Sequence, residues 1–202
     1  VTSQRPLPSQ VTPRWRILLA AWCKRIASPS LWISASCLIA LSAQAASLPE
    51  YKVKAAFLYK FTKFIEWPEE AFEDSESPFT LCVIGKDPFG TALDPLKERT
   101  AQGRTILILK TSYWEKLTTP CHMMFVAESE RKRVDSIVAA FRLHPSLTVS
   151  DIKNFARQGG IMNFIKKNKK IRFVINVRAG KKAGLKISAQ LLELATVVTD
   201  EY

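Results

Sequence analysis

Short apolar runs recur at helix-sized intervals along this chain, and that spacing constrains its fold more than any other feature. Residues 79–84, 105–109, 121–126 and 147–149 are too short for core helices and too continuously apolar for strands with one wet face. They read as buried strands. Between them lie helical signals: a short helix over 88–98, a helical turn over 113–117, and a surface helix over 129–141. The last has Ser129 as its cap and Val134, Ile137, Val138 and Phe141 on one face. Ahead of them, residues 48–64 place Val53, Ala56, Phe57, Phe61 and Phe64 at steps of three and four, separated by Lys52, Lys54, Lys60 and Lys63. That is an amphipathic helix, ended at Trp67-Pro68 because proline cannot continue the ladder.

Towards the end of the chain the pattern changes. Residues 161–165 and 171–175 flank the polar segment 166–170 and predict a hairpin with a basic turn. Asn176 can cap a short helix that Gly184 closes, with Lys181 and Lys182 in its last turn, and a final helix is expected over 188–198. Strands alternating with helices predict an α/β domain whose mixed sheet is covered by helices on both faces. No repeat or long linker divides residues 46–202, so they read as one domain.

The formal charge of +12 raises the question of nucleic acid, but its distribution argues otherwise. Arg5, Arg14, Arg16, Lys24 and Arg25 stand in the first 45 residues without a single acid, and the chain is then uncharged from 26 to 49. A basic leader, an apolar segment over 31–41 and the small-x-small site Ala43-Gln44-Ala45 have the form of a secretory signal peptide cleaved after Ala45. An uncleaved anchor is the alternative, but Ser34, Ser36 and Ser42 interrupt a segment shorter than the ~20 residues a span needs. Ser34 also stands where a lipoprotein site before Cys37 would want a bulky aliphatic residue. The expected location is the periplasm.

Cleavage would remove Cys23 and Cys37 and leave Cys82 and Cys121. An even pair in an oxidising compartment suggests one disulfide; two buried free thiols are the alternative. With two histidines, His122 and His144, and two distant cysteines, no metal spacing is present and no cofactor is expected.

Catalytic patterns fail on inspection. Cys121 and His122 are neighbours on a predicted strand and would point to opposite faces. The segment Gly85-Lys86-Asp87-Pro88-Phe89-Gly90 lacks the Gly-Lys-Ser/Thr ending of a phosphate loop and reads as a turn. No catalytic set emerges, and an enzyme is not expected. The basic residues of 166–170 and the pair Lys181-Lys182 could attract phosphates or an acidic membrane surface, but they are not interleaved with aromatics as nucleic-acid platforms require, and a solvated hairpin tip is the favoured reading. Within Asn154-Phe155-Ala156-Arg157-Gln158-Gly159-Gly160, Arg157 offers a planar fork to an anion, and Gly159 and Gly160 allow close backbone approach; a pocket wall and a plain turn are both open readings. Asn176, if buried, either caps a helix or meets a ligand.

Several segments together carry a resemblance. They are Tyr51-Lys52-Val53-Lys54-Ala55-Ala56-Phe57-Leu58-Tyr59-Lys60, then Phe64-Ile65-Glu66-Trp67-Pro68, Cys82-Val83-Ile84-Gly85 and Cys121-His122-Met123-Met124-Phe125-Val126. Phe155 to Ile161, Ile171 to Asn176 and Ala183 to Leu192 continue the series. In order and spacing the chain resembles the YfiR family. The resemblance implies a periplasmic regulator that represses an inner-membrane diguanylate cyclase through the cyclase's periplasmic part, so controlling cyclic di-GMP and biofilm formation. It implies a homodimer and a family disulfide between Cys82 and Cys121, while a second pair of the best-known member has no counterpart here. A periplasmic small-molecule sensor is the second functional expectation.

Overall fold

The computed structural model describes residues 47–198. The leader expected over residues 1–45, with its cleavage site, lies outside the described residues. The elements in order are helix α1 (Ser47–Phe64), strands β1 (Ile65–Glu66), β2 (Phe79–Ile84), β3 (Thr100–Ala101), β4 (Arg104–Thr111) and β5 (Met123–Val126), and helix α2 (Val134–Phe141). Strands β6 (Leu147–Ser150), β7 (Met162–Lys167) and β8 (Lys170–Asn176) follow, then α3 (Val177–Lys182), β9 (Lys186–Ile187), α4 (Ala189–Glu193) and β10 (Thr196–Val198). Eight strands form one mixed sheet in the order β10-β8-β7-β6-β5-β2-β4-β3, and β1 pairs with β9 apart from it. The run β4-β2-β5-β6-β7 is parallel; β8 returns antiparallel to β7, and β3 antiparallel to β4.

All six residues of β2 and all four of β5 are buried. Because side chains alternate along a strand, they enter two separate cores. Phe79, Leu81, Val83, Met123 and Phe125 join Leu58 and Phe61 of α1 on one side. Cys82, Ile84, Met124 and Val126 join Val134, Ile137 and Val138 of α2 on the other. Phe61 is wholly buried, stacked on Phe164 and edge-on to Phe173, so α1 rests on the β7–β8 hairpin. Burial of one such ring stabilises by about 2–3 kcal/mol.

The strand readings hold with shifted ends: β4 reaches Thr111 and β6 reaches Ser150, while β5 begins only at Met123 and β7 at Met162. The hairpin turn is tighter than expected. Asn168 and Lys169, at φ 52° and 60°, make the two-residue connection between Lys167 and Lys170, the backbone that matches strand twist. Asn176 caps α3 by accepting from the Ala179 amide at 2.9 Å. Gly184, at φ +74°, closes it, with its amide on Lys181 O and that of Leu185 on Gly180 O.

Four expectations are corrected. The helix expected over 88–98 is only a tight turn at Asp94–Leu96, because Gly90 adopts φ +54° and Pro95 cannot donate to a ladder. Ser129 does not cap a helix: its hydroxyl accepts from the Lys86 amide at 2.8 Å, and α-helix begins at Val134 after a 3-10 stretch over Glu128–Arg133. The final helix ends at Glu193, and the β-branched Thr196, Val197 and Val198 instead form β10 along β8. Finally, α1 buries Lys54, Ala55, Leu58, Phe61 and Thr62, while Val53 and Ala56 of the expected apolar face are exposed.

That rotation of α1 has a polar cause. Lys54, 3% exposed, pairs with Asp151 at 2.6 Å and with Glu50 at 2.8 Å, and Tyr51 donates its hydroxyl hydrogen to the same Asp151 oxygen at 2.7 Å. With aromatic residues on several sides of the helix, apolar spacing alone does not choose the face; the buried charge does.

Cys82 and Cys121 are bonded to each other, with Cα atoms 5.8 Å apart across 39 positions. Cys82 sits mid-strand in β2 and Cys121 two residues before β5. Closing that loop restricts the unfolded chain, so the Cys82→Ala, Cys121→Ala double variant should lose about 2–4 kcal/mol of unfolding free energy in urea. Adding reductant to the unsubstituted protein should reproduce most of that loss and leave the variant unchanged.

Candidate functional site

Three places in the domain gather polar or reactive groups. The first is the pair Cys121 and His122. Cys121 is committed to the disulfide, and His122 is 4% exposed. Its Nδ1 accepts from the Thr80 amide at 2.9 Å, its Nε2 lies 2.9 Å from Ala71 O, and its own carbonyl accepts from the Trp67 indole at 2.8 Å. Phe72 stacks on the ring at 4.3 Å. Both ring nitrogens are therefore spent on backbone, and His122 ties the segment after α1 to β2. Burial pushes its pKa below 6.5, against the Ala71 carbonyl, which raises it, and with a further lowering by nearby Arg104.

The second is the carboxyl end of β2 and β5, the point where strand order reverses and doubly wound sheets commonly hold ligands. Here it is closed by the chain itself. Gly85 turns at φ +94°, and a Cβ there would stand 2.4 Å from the Ser129 hydroxyl. The Gly85 amide donates to Thr111 O, that of Lys86 to Ser129 and that of Phe89 to Asp87. Three amides of this segment are thus spent on the chain itself, in accord with its turn reading.

The third is an open cleft of about 570 Å³ between α2, α3 and the loop from β6 to β7. The structure brings Arg157, Gly159 and Asn176 together on its wall, with Arg142, Arg178 and Lys182 beside them. Gly160 lies beneath, buried, where a Cβ would stand 2.1 Å from the Phe155 ring. Gly159 takes φ +95° and is pressed against Val138. Asn176 is 3% exposed; besides its cap it donates from Nδ2 to Ala156 O at 2.9 Å, pinning the loop. Thus Gly160 and Asn176 shape the loop from behind, and Arg157 is the exposed group that it presents.

Sequence reasoning did not find Arg142 and Arg178, and it named Lys182 only as part of the basic pair Lys181-Lys182. Arg178 and Lys182 are one helical turn apart, a usable signal, but Arg142 caps the end of α2 and Arg157 comes from a loop. Only the packing of α2 against the β6–β7 loop joins them. The buried Lys54–Asp151 pair was also missed, since Lys54 reads as a solvated helix position.

A mixed α/β domain with a bonded cysteine pair, a histidine spent on backbone and a shallow cationic cleft has the makings of a binding or regulatory protein. Among the described residues no group of three or more His, Cys, Asp or Glu side chains is placed to hold a metal ion, and no helix is long and apolar enough to cross a membrane. The chain belongs to the YfiR/HmsC-like family, whose model matches residues 51–196. That family is known for periplasmic regulators of diguanylate cyclases and is regulatory, not catalytic. No curated protein matches the chain.

Below pH 6.5 the unfolded chain binds a proton that folded His122 resists, so stability should fall as pH drops from 6.5 through the lowered folded value. The His122→Gln variant should lose about 1–3 kcal/mol at pH 7 and show a flatter dependence over that window in denaturant titrations. At the cleft, Gly160→Ala should lower stability by about 1–3 kcal/mol by pushing on Phe155. Thermal melts of Arg157→Ala should stay within about 0.5 kcal/mol of the parent, because the side chain is exposed.

Proposed function

We propose that the protein is exported, loses residues 1–45, and acts through residues 46–202 as a periplasmic regulator that represses a membrane-bound diguanylate cyclase by contact with the cyclase's periplasmic domain. Family membership over residues 51–196 carries this reading. The bonded Cys82–Cys121 pair supports an oxidising compartment, since such bridges are rare where glutathione keeps thiols reduced. A domain fixed by a bridge and by burial on two faces suits contact regulation, because a rigid surface can distinguish two states of a partner. Repression requires only that the protein bind the inactive cyclase better than the active one, with about 1.4 kcal/mol of preference for each tenfold shift. A homodimer is the form in which we expect it to act.

A second reading, a periplasmic sensor of a small molecule, is favoured by the cationic cleft at Arg157. The two are compatible: a ligand that prefers the free or the bound form would tune repression by its differential affinity. Deleting the gene should raise cyclic di-GMP, and the purified protein should bind the cyclase's periplasmic domain in calorimetry. Unchanged cyclic di-GMP in the deletion strain under several envelope stresses would count against repression.

A further inference from the structure

We infer that the cleft between α2 and α3 is a binding site for a small organic anion carrying at least two negative charges, with Arg142, Arg157, Arg178 and Lys182 as its recognition groups. The inference rests on the sensor reading and supplies the class of its ligand.

The charge pattern is the first observation. Four cations line one concavity, and Asp135 is the single carboxylate among its walls. Elsewhere, Lys97, Lys110, Arg131, Arg133 and Lys166 pair with a carboxylate, while other cations such as Lys60, Lys86, Lys132 and Lys153 stand apart on the surface. The four cleft cations also lack an ion pair among the described residues, and what sets them apart is that they converge on one hollow. Like charges gathered in a hollow repel one another and focus a positive potential into it, and an entering anion relieves that repulsion. With three positive charges left after Asp135, a polyvalent anion balances the site better than a monovalent one.

The shape is the second. About 570 Å³ suits a small molecule. Val138, Ala139 and Ala179 give the cleft an apolar floor for the carbon part of a ligand, while no aromatic side chain lines it, which disfavours stacked nucleic-acid bases. The backing is rigid: Asn176 holds the loop at Ala156 O, the Gly160 amide closes on Phe155 O, and Gly159 is packed on Val138. Arginine forks on a fixed backbone bind carboxylate or phosphate by paired charge-assisted hydrogen bonds.

The test is calorimetry on the purified, disulfide-bonded protein at constant ionic strength, with glycerol 3-phosphate and citrate as probes and acetate as the monovalent control. We expect one-to-one saturable binding of at least one polyvalent probe and none of acetate. Arg157→Ala and Arg178→Ala should each weaken it by about tenfold or more. The exposed Arg131→Ala, outside the cleft, should not, and ligand-free melting of all three variants should match the parent. Retention on phosphatidylglycerol vesicles that Arg157→Ala abolishes would assign the same anion chemistry to a lipid headgroup. Absence of saturable binding to either probe and to the vesicles, or equal weakening by Arg131→Ala, would overturn the inference. Because no cyclase is present, that failure would leave contact-mediated repression standing. Binding that leaves cyclic di-GMP output unchanged would fail the regulatory reading and keep the cleft.

Discussion

Strand β2 has no exposed residue, is hydrogen-bonded by parallel neighbours on both edges, and is packed on both faces; the rest of the architecture answers that constraint. A strand buried on every side needs two strands to satisfy its backbone and two layers to cover its side chains. β4 and β5 meet the first need, α1 and α2 the second. The disulfide lies inside this arrangement, on the α2 side, joining β2 to the approach of β5. It reinforces a pairing that burial already favours.

Polar groups locate the layers that apolar contact leaves free to slide. On the α1 side, Trp67, His122, Thr80 and Ala71 share one hydrogen-bonded tie that holds the chain after α1 against the start of β2. Lys54 and Tyr51 on Asp151 fix the roll of α1 at the other end of the sheet, where β6 has just finished. Ser150 and Asn163 knit β5, β6 and β7 together there, through Val126 O, Ser150 O and Ile152 O. Desolvating these groups is costly unless each finds its partner, so they act as registration points more than as a net source of stability.

The same economy explains why the molecule reads as a regulator. His122, the Cys82–Cys121 pair and the strand-end glycine turn are all consumed by the scaffold. The exposed cations at the end of α2, on α3 and on the β6–β7 loop are not, and they converge because Ile152 and Phe155 anchor that loop in the core beneath α2. Binding groups on a fixed support are what recognition needs.

Much of this was legible in the chain. The continuous apolar runs at 79–84 and 121–126 are strands because only burial on two faces tolerates such runs, and Asn176 and Gly184 bound α3 through local chemistry that needs no distant partner. Elements decided by distant partners were not legible. Thr196 to Val198 became a strand because β8 offered an open edge, and the face of α1 followed from Asp151, 97 positions beyond Lys54. At the cleft, Arg157 and the glycines could be singled out from a short motif, whereas Arg142 and Arg178 could not. Periodicity and capping act over a few residues and are written in sequence; convergence of side chains from three elements is a product of packing, and only the tertiary structure decides it.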